Sequence, residues 1–202
     1  MTARIALFDL GGVLLDWSPA RLYSQIFSNA AEADRFLAEV CTMEWHLEHD
    51  RGVSFADNAA PLIARYPQYE SQIRAWHSRW ADMFDGYITG TDRLIEMLFG
   101  REVPLYGLSN MPGEVWPQVL DMFPALRRFR EVVVSGQIGL VKPDPAIFHY
   151  ARTRMGDPDP RDVLFIDDAP RNIAMADALG YQTHLFTGAA RLESELIRQG
   201  LL

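Results

Sequence analysis

The chain has 202 residues, 49% hydrophobic and 23% charged, the balance of an ordinary globular protein with room for a core and a small inserted module. Its formal net charge of −8 argues against a general nucleic-acid binder, which needs a basic footprint; a phosphorylated small molecule stays open, because a local site can override the global field. No apolar run approaches the roughly 20 residues that span a bilayer, and no signal-peptide pattern opens the chain. With Cys41 the only cysteine, no internal disulfide forms, and a reducing, cytoplasmic location is expected.

In chain order, the runs Ile5–Leu10, Val103–Leu108, Glu131–Val134, Val163–Asp167 and Thr183–Phe186 read as strands. Helical patterns follow most of them: Thr91 to Phe99, Glu114 to Met122, Pro145 to Met155, Pro170 to Leu179 and Leu192 to Arg198, several stopped by a glycine. Such alternation predicts an α/β fold, a Rossmann-like, mainly parallel sheet with helices on both faces. Between the first two strands, Pro19 to Thr91 show no convincing strand. Ser18-Pro19 is a helix start, "EADRFLAEVCTMEWHLEHDRG" reads as one helix ending at Arg51-Gly52, and Ser54 with Asp57 resembles a capping box. Pro61 is expected to kink or restart that helix, and "QIRAWHSRWADMF" is a further amphipathic stretch. The expected division is a core of residues 1–16 and 88–202, with a helical lid of residues 17–87 over the carboxyl edge of the sheet, where such sheets bind ligands.

Four polar signatures follow four of the expected strands: Asp9, Ser109-Asn110, Lys142 and Asp167-Asp168. Singly, each has an ordinary structural explanation, as helix cap, turn, surface lysine or dipole-favoured acids. Jointly they form a chemical set. A carboxylate can act as nucleophile, a hydroxyl and an amide can hold anionic oxygens, and an ammonium can neutralise charge. Clustered carboxylates suit Mg²⁺. Phosphoryl transfer needs these parts: positioning and charge neutralisation.

In "FDLGGVLLD", "LSN", "VKPDPAIF" and "FIDDAPRNIAMADALG", in this order and over nearly its whole length, the chain resembles the haloacid dehalogenase superfamily. Its members are mostly Mg²⁺-dependent phosphatases, and the insertion lies where the family carries a helical cap. "FDLGGVLLDW" looks much like the glucose-1-phosphatase-like subgroup. The resemblance implies that Asp9 attacks phosphorus to form an aspartyl-phosphate, that Ser109 and Asn110 bind phosphate, and that Lys142 bridges nucleophile and phosphate. It implies Mg²⁺ held by Asp9, the Gly11 carbonyl, Asp167 and Asp168, with Asn172 orienting the acids.

The chain departs from the family at Gly11, where most of these phosphatases carry a second aspartate that moves the proton. General acid–base help is worth roughly 10²–10⁴-fold. Asp16 is one candidate substitute, or else a structural partner of a lid residue. A dehalogenase, which releases halide and needs no proton, and a binding member that has lost catalysis are the alternatives to a phosphatase. Substrate choice is expected from the lid, with Trp17, Trp45, His46, His49 and Arg51 as candidates against a plain reading as lid core. His46 and Asp50 share a helix face at i, i+4, the spacing of a less favoured second metal site. The expected substrate is a small phosphorylated metabolite, with sugar phosphates among the candidates.

Overall fold

The structure, a computed structural model, describes residues 2–202. Strand β1 (Ile5–Phe8) leads into β2 (Leu15–Trp17), after which the chain turns helical: α1 (Pro19–Ile26), α2 (Ala30–Glu39), α3 (Met43–Asp50), α4 (Phe55–Arg65) and α5 (Glu70–Ser78). Strand β3 (Phe84–Tyr87) ends that segment. Then come α6 (Thr91–Gly100), β4 (Leu105–Ser109), α7 (Trp116–Met122), β5 (Glu131–Val134), α8 (Ser135–Ile138), α9 (Pro145–Arg154), β6 (Val163–Asp167), α10 (Pro170–Ala178), β7 (Gln182–Leu185) and α11 (Ala189–Arg198). Short 3₁₀ turns link several of them.

Five strands form one parallel sheet in the order β5-β4-β1-β6-β7. Both faces are buried. Ala6, Phe8, Leu164 and Ile166 pack on one face beneath α6 and α11. Leu7, Val163 and Phe165 pack on the other, against Ile147 and Phe148 of α9 and Ala176 of α10. This is why the strands read as apolar runs rather than as alternating ones. On the first face the apolar packing runs on through Leu14 and Leu15 to Leu22, Tyr23, Phe36 and Trp76 of the helical segment. Among the described residues no helix is long and apolar enough to cross a membrane.

Two local expectations need correction. Residues 19–91 do contain a strand: β3 pairs antiparallel with β2, joining Leu15 to Tyr87 and Trp17 to Phe84. Its four residues include Asp85 and Gly86, so nothing local announces it; the partner lies about 70 residues away, and the long-range pairing decides. The stretch 32–52 is two helices, because the Thr42 hydroxyl accepts from the Trp45 N–H and starts α3 afresh. Of the two outcomes expected at Pro61, a restart does not occur: α4 runs on through it. That helix is anchored ahead of the proline, where Ser54 Oγ accepts from Asp57 N and donates to Asp57 Oδ2 at 2.7 Å. Cys41 is buried, and burial pushes its thiol up to about 12, which fits packing rather than chemistry.

Candidate active site

The first two strands of the site are fixed by register. Phe8 pairs with Ile166, so the residues that follow, Asp9 and Asp167, stand side by side at the carboxyl edge of the sheet, Asp167 as the last residue of β6. From β1 the chain builds outward through β4 and β5, then crosses back to β6 on the other side. Asp9 and Asp167 therefore flank the topological switch point, where the carboxyl ends of the strands open a crevice.

Lys142 joins them. Its Nζ lies 2.9 Å from Asp9 Oδ1 and 2.7 Å from Asp167 Oδ2, and its side chain is only 1% exposed. Burial pulls the ammonium down, but the two carboxylates more than offset this and hold its pKa above the ordinary lysine value. Asn110 sets the position of Lys142: its side-chain amide donates to the Lys142 carbonyl (3.1 Å) and accepts from the Lys142 N–H (2.8 Å). Asp167 is fully buried and also accepts from Ala169 N and, through both oxygens, from Asn172 Nδ2 at 3.0 Å. Asn172 lies in the first turn of α10, where a side chain reaches back to the preceding strand end.

Asp9, Asp167 and Asp168 each present a carboxylate oxygen, and these oxygens all lie within 4.8 Å of one another. A hard divalent cation fits such a set. The structure also shows which acid is freer to ligate. Asp167 is occupied by Lys142, Asn172 and Ala169, whereas Asp168 is exposed and stands over Gly12. Gly12 has φ +77°, and a Cβ there would collide with the Asp168 carboxylate, so glycine is required. Gly11 differs: a Cβ on it would meet no atom within 4 Å. Burial pushes Asp9 up to about 8 against the pull of Lys142, with Asp167 and Asp168 adding repulsion. Asp168 is raised for the same two reasons, burial first and then Asp167. Crowded acids of this kind call for positive charge.

Above these groups opens a cleft of about 540 Å³, lined by Asp9, Gly11 and Lys142 from the sheet edge and by His46, Leu47 and Asp50 from α3. A narrow side slot of about 50 Å³ shares Gly11, Trp17, His46 and Asn110 with it and runs between Ser109, Met111, Trp80 and Phe84. Trp17 stacks on His46 at 5.3 Å and tilts against Trp80 at 5.4 Å. Burial, with His49 beside it, pulls His46 down to about 3, so this wall carries no charge.

The other candidates fall outside this cleft. Asp16 forms an ion pair with Arg21 at 2.7 Å on the edge of the β2–β3 ribbon. Arg51 pairs with Glu48 at 2.5 Å, both about half exposed. The Trp45 indole N–H donates to the Asn58 carbonyl, and the Asn58 amide meets His49 Nε2 at 3.2 Å, so both rings are tied to α4. Trp80, Phe84 and Met111 line the slot and were not among the candidates. Only the β2–β3 pairing, invisible in the sequence, brings Phe84 beside Trp17.

A parallel sheet whose switch point carries two strand-end acids bridged by a lysine, with a third acid alongside, defines a class of α/β hydrolases. The chain belongs to the haloacid dehalogenase-like hydrolase family, whose profile matches residues 3–180. It is 27% identical over 186 residues to the sesquiterpene phosphatase astK of Aspergillus oryzae, covering 89% of this chain and 87% of that protein. It is 25% identical over 197 residues to the drimenol cyclase drtB of Aspergillus calidoustus, but spans only 36% of that protein's length. The fold matches a haloacid dehalogenase family enzyme, bt-2542 of Bacteroides thetaiotaomicron, crystallised with magnesium and inorganic phosphate. The TM-score is 0.71 and the identity 24%, over 93% of this chain and 96% of that one.

Proposed function

We propose that this chain is a Mg²⁺-dependent phosphomonoesterase acting on a small phosphorylated metabolite, with residues 17–87 as the cap that closes over the substrate. Asp9 attacks phosphorus, the bond to the ester oxygen breaks, and water then hydrolyses the aspartyl-phosphate. Lys142 holds the Asp9 carboxylate and neutralises incoming phosphate oxygens. Ser109 and Asn110 line the slot at the end of β4, and a hydroxyl and a backbone N–H there suit the remaining oxygens. Asp9, Asp168 and the Gly11 carbonyl would hold the cation, with Asp167 behind them, and the cation supplies charge neutralisation at the phosphoryl group. One observation carries this reading: Lys142 Nζ within 2.9 Å of Asp9 and 2.7 Å of Asp167, at the floor of the cleft.

The slot bears on the substrate's organic part. Trp17, Trp80, Phe84 and Met111, with an uncharged His46, make the slot mainly apolar, its walls' free polar atoms being the two indole N–H groups and His46 Nδ1. A compact apolar group fits better, and a relative that is a sesquiterpene phosphatase supports the same direction. Phosphate release with Mg²⁺ should therefore be faster for isoprenyl and aryl monophosphates than for sugar 1-phosphates or 6-phosphates, and EDTA should silence it. Faster release from the sugar phosphates would overturn the apolar assignment. Halide release from a 2-haloacid, unaffected by EDTA and without phosphate release, would overturn the phosphatase reading itself.

A further inference from the structure

Gly11 leaves the leaving oxygen without a proton from the strand side, and Asp16, the next acid along the chain, is held by Arg21 outside the cleft. The other charged groups facing the cleft are spoken for or misplaced. Asp9 is the nucleophile, Lys142 is locked between two carboxylates, Asp168 serves the cation, and Glu44 and Arg171 are exposed. One acid remains. Asp50 sits at the last turn of α3, 6% exposed, lining the same cleft as Asp9 and Gly11. Its Oδ1 is buried with no hydrogen-bond partner among the described residues, and His46 Nε2, at 3.5 Å, lacks the geometry to supply one. His46 Nδ1 is orphaned as well. An unpaired buried carboxyl oxygen is costly and uncommon, and is expected where a ligand completes the site.

We infer that Asp50, reaching from the helical segment, is the general acid–base that replaces the missing aspartate at Gly11. This rests on the phosphatase reading of the same cleft. As Asp9 bonds to phosphorus, the phosphorus–oxygen ester bond breaks, and the leaving oxygen takes the proton of the Asp50 carboxyl. The alcohol departs. The Asp50 carboxylate then takes a proton from the water that attacks the aspartyl-phosphate, so phosphate is released and Asp50 is again protonated. The surroundings suit both steps: burial pushes Asp50 up to about 7 against the pull of Lys142, so both protonation states are within reach near neutral pH. The neutral His46 ring does not pin it as an ion-pair partner.

The test compares wild type with Asp50→Asn on p-nitrophenyl phosphate, whose leaving oxygen needs no proton, and on an alkyl phosphate, whose leaving oxygen does. Wild-type turnover of both, with Mg²⁺, establishes the phosphatase reading independently. Asp50→Asn should lose roughly 10²–10⁴-fold on the alkyl ester. On p-nitrophenyl phosphate it should keep a burst of nitrophenolate of about one per active site. A slow steady state should follow, because attack on phosphorus survives while activation of water does not. Placing Gly11→Asp in the Asp50→Asn background should restore alkyl turnover in part, since a Cβ at position 11 meets no atom within 4 Å. Equal loss on both esters with no burst, in a variant whose thermal midpoint matches wild type, would mean a merely structural Asp50. Undiminished alkyl turnover would overturn the proposal outright. If Asp50→Asn melts early, Asp50→Glu decides: recovery of the alkyl rate supports the acid, and a stable but inactive Asp50→Glu that shows no burst contradicts it.

Discussion

Lys142→Met removes one ammonium from between two carboxylates while nearly keeping the side-chain volume. The Lys142 side chain is 1% exposed, with Nζ 2.9 Å from Asp9 and 2.7 Å from Asp167. Taking one partner from a buried ion pair costs about 3–5 kcal/mol, because the remaining charge is neither solvated nor neutralised. At about 1.4 kcal/mol per factor of ten, the unfolding equilibrium shifts roughly 10²–10⁴-fold. The pH dependence follows from Asp9, raised in the folded state from 3.8 to about 8 by burial and by its acidic neighbours, against the pull of Lys142. Between those values the folded chain binds more protons than the unfolded one, so metal-free stability falls as pH rises from about 4 towards 8. Wild-type Asp9 ionises beside Lys142 above that range. In the variant it has no ammonium to ionise against, so its pKa climbs further and stability goes on falling. Urea unfolding in EDTA should thus show a larger deficit for Lys142→Met at about pH 9 than at about pH 7. A deficit below about 1 kcal/mol, or one independent of pH, would refute the buried-bridge reasoning.

Gly12→Ala must adopt φ +77° and meets the Asp168 carboxylate; it should lose about 1–3 kcal/mol of stability and weaken Mg²⁺ binding at least roughly tenfold by calorimetric titration. Gly11→Ala, with open space around its Cβ, should change Mg²⁺ binding little in the same titration. Asn110→Ala breaks both bonds to the Lys142 backbone, and should cost about 1–3 kcal/mol in urea unfolding while lowering kcat more than it raises KM. Asp16→Asn loosens only a half-exposed pair with Arg21, so it should cost no more than about 1 kcal/mol of stability in urea unfolding. It should also leave the dependence of rate on leaving-group acidity unchanged.

The parallel sheet was legible because its central strands β1, β4 and β6 carry buried apolar runs, and the acids at its edge were legible because Asp9 and Asp167 follow such runs directly. Asp9 and Asp167 stand one residue beyond Phe8 and Ile166, which pair in the sheet, so strand ends in sequence became neighbours in space. The helical segment was harder. Whether 32–52 is one helix or two turns on a single hydroxyl at Thr42. The fourth side of the slot depends on Phe84, placed by a strand whose partner is remote in sequence. Asp50 drew notice only as the i, i+4 neighbour of His46. Its burial and its orphaned oxygen arise from how α3 packs down over the sheet edge, which the sequence of α3 alone does not encode. The role of Asn110 was half legible: the Ser-Asn step marks the site, but its amide is spent on Lys142.

The most direct measurement is the chemical trap on Asp9. Wild-type protein is mixed with Mg²⁺ and p-nitrophenyl phosphate, quenched in acid within the first turnover, digested and mapped by mass spectrometry. A phosphoryl group on the peptide carrying Asp9, removed by hydroxylamine as acyl phosphates are and absent from Asp9→Asn, is the expected result. Phosphate on another residue, or full turnover by a folded Asp9→Asn variant, would contradict the proposed mechanism at its first step.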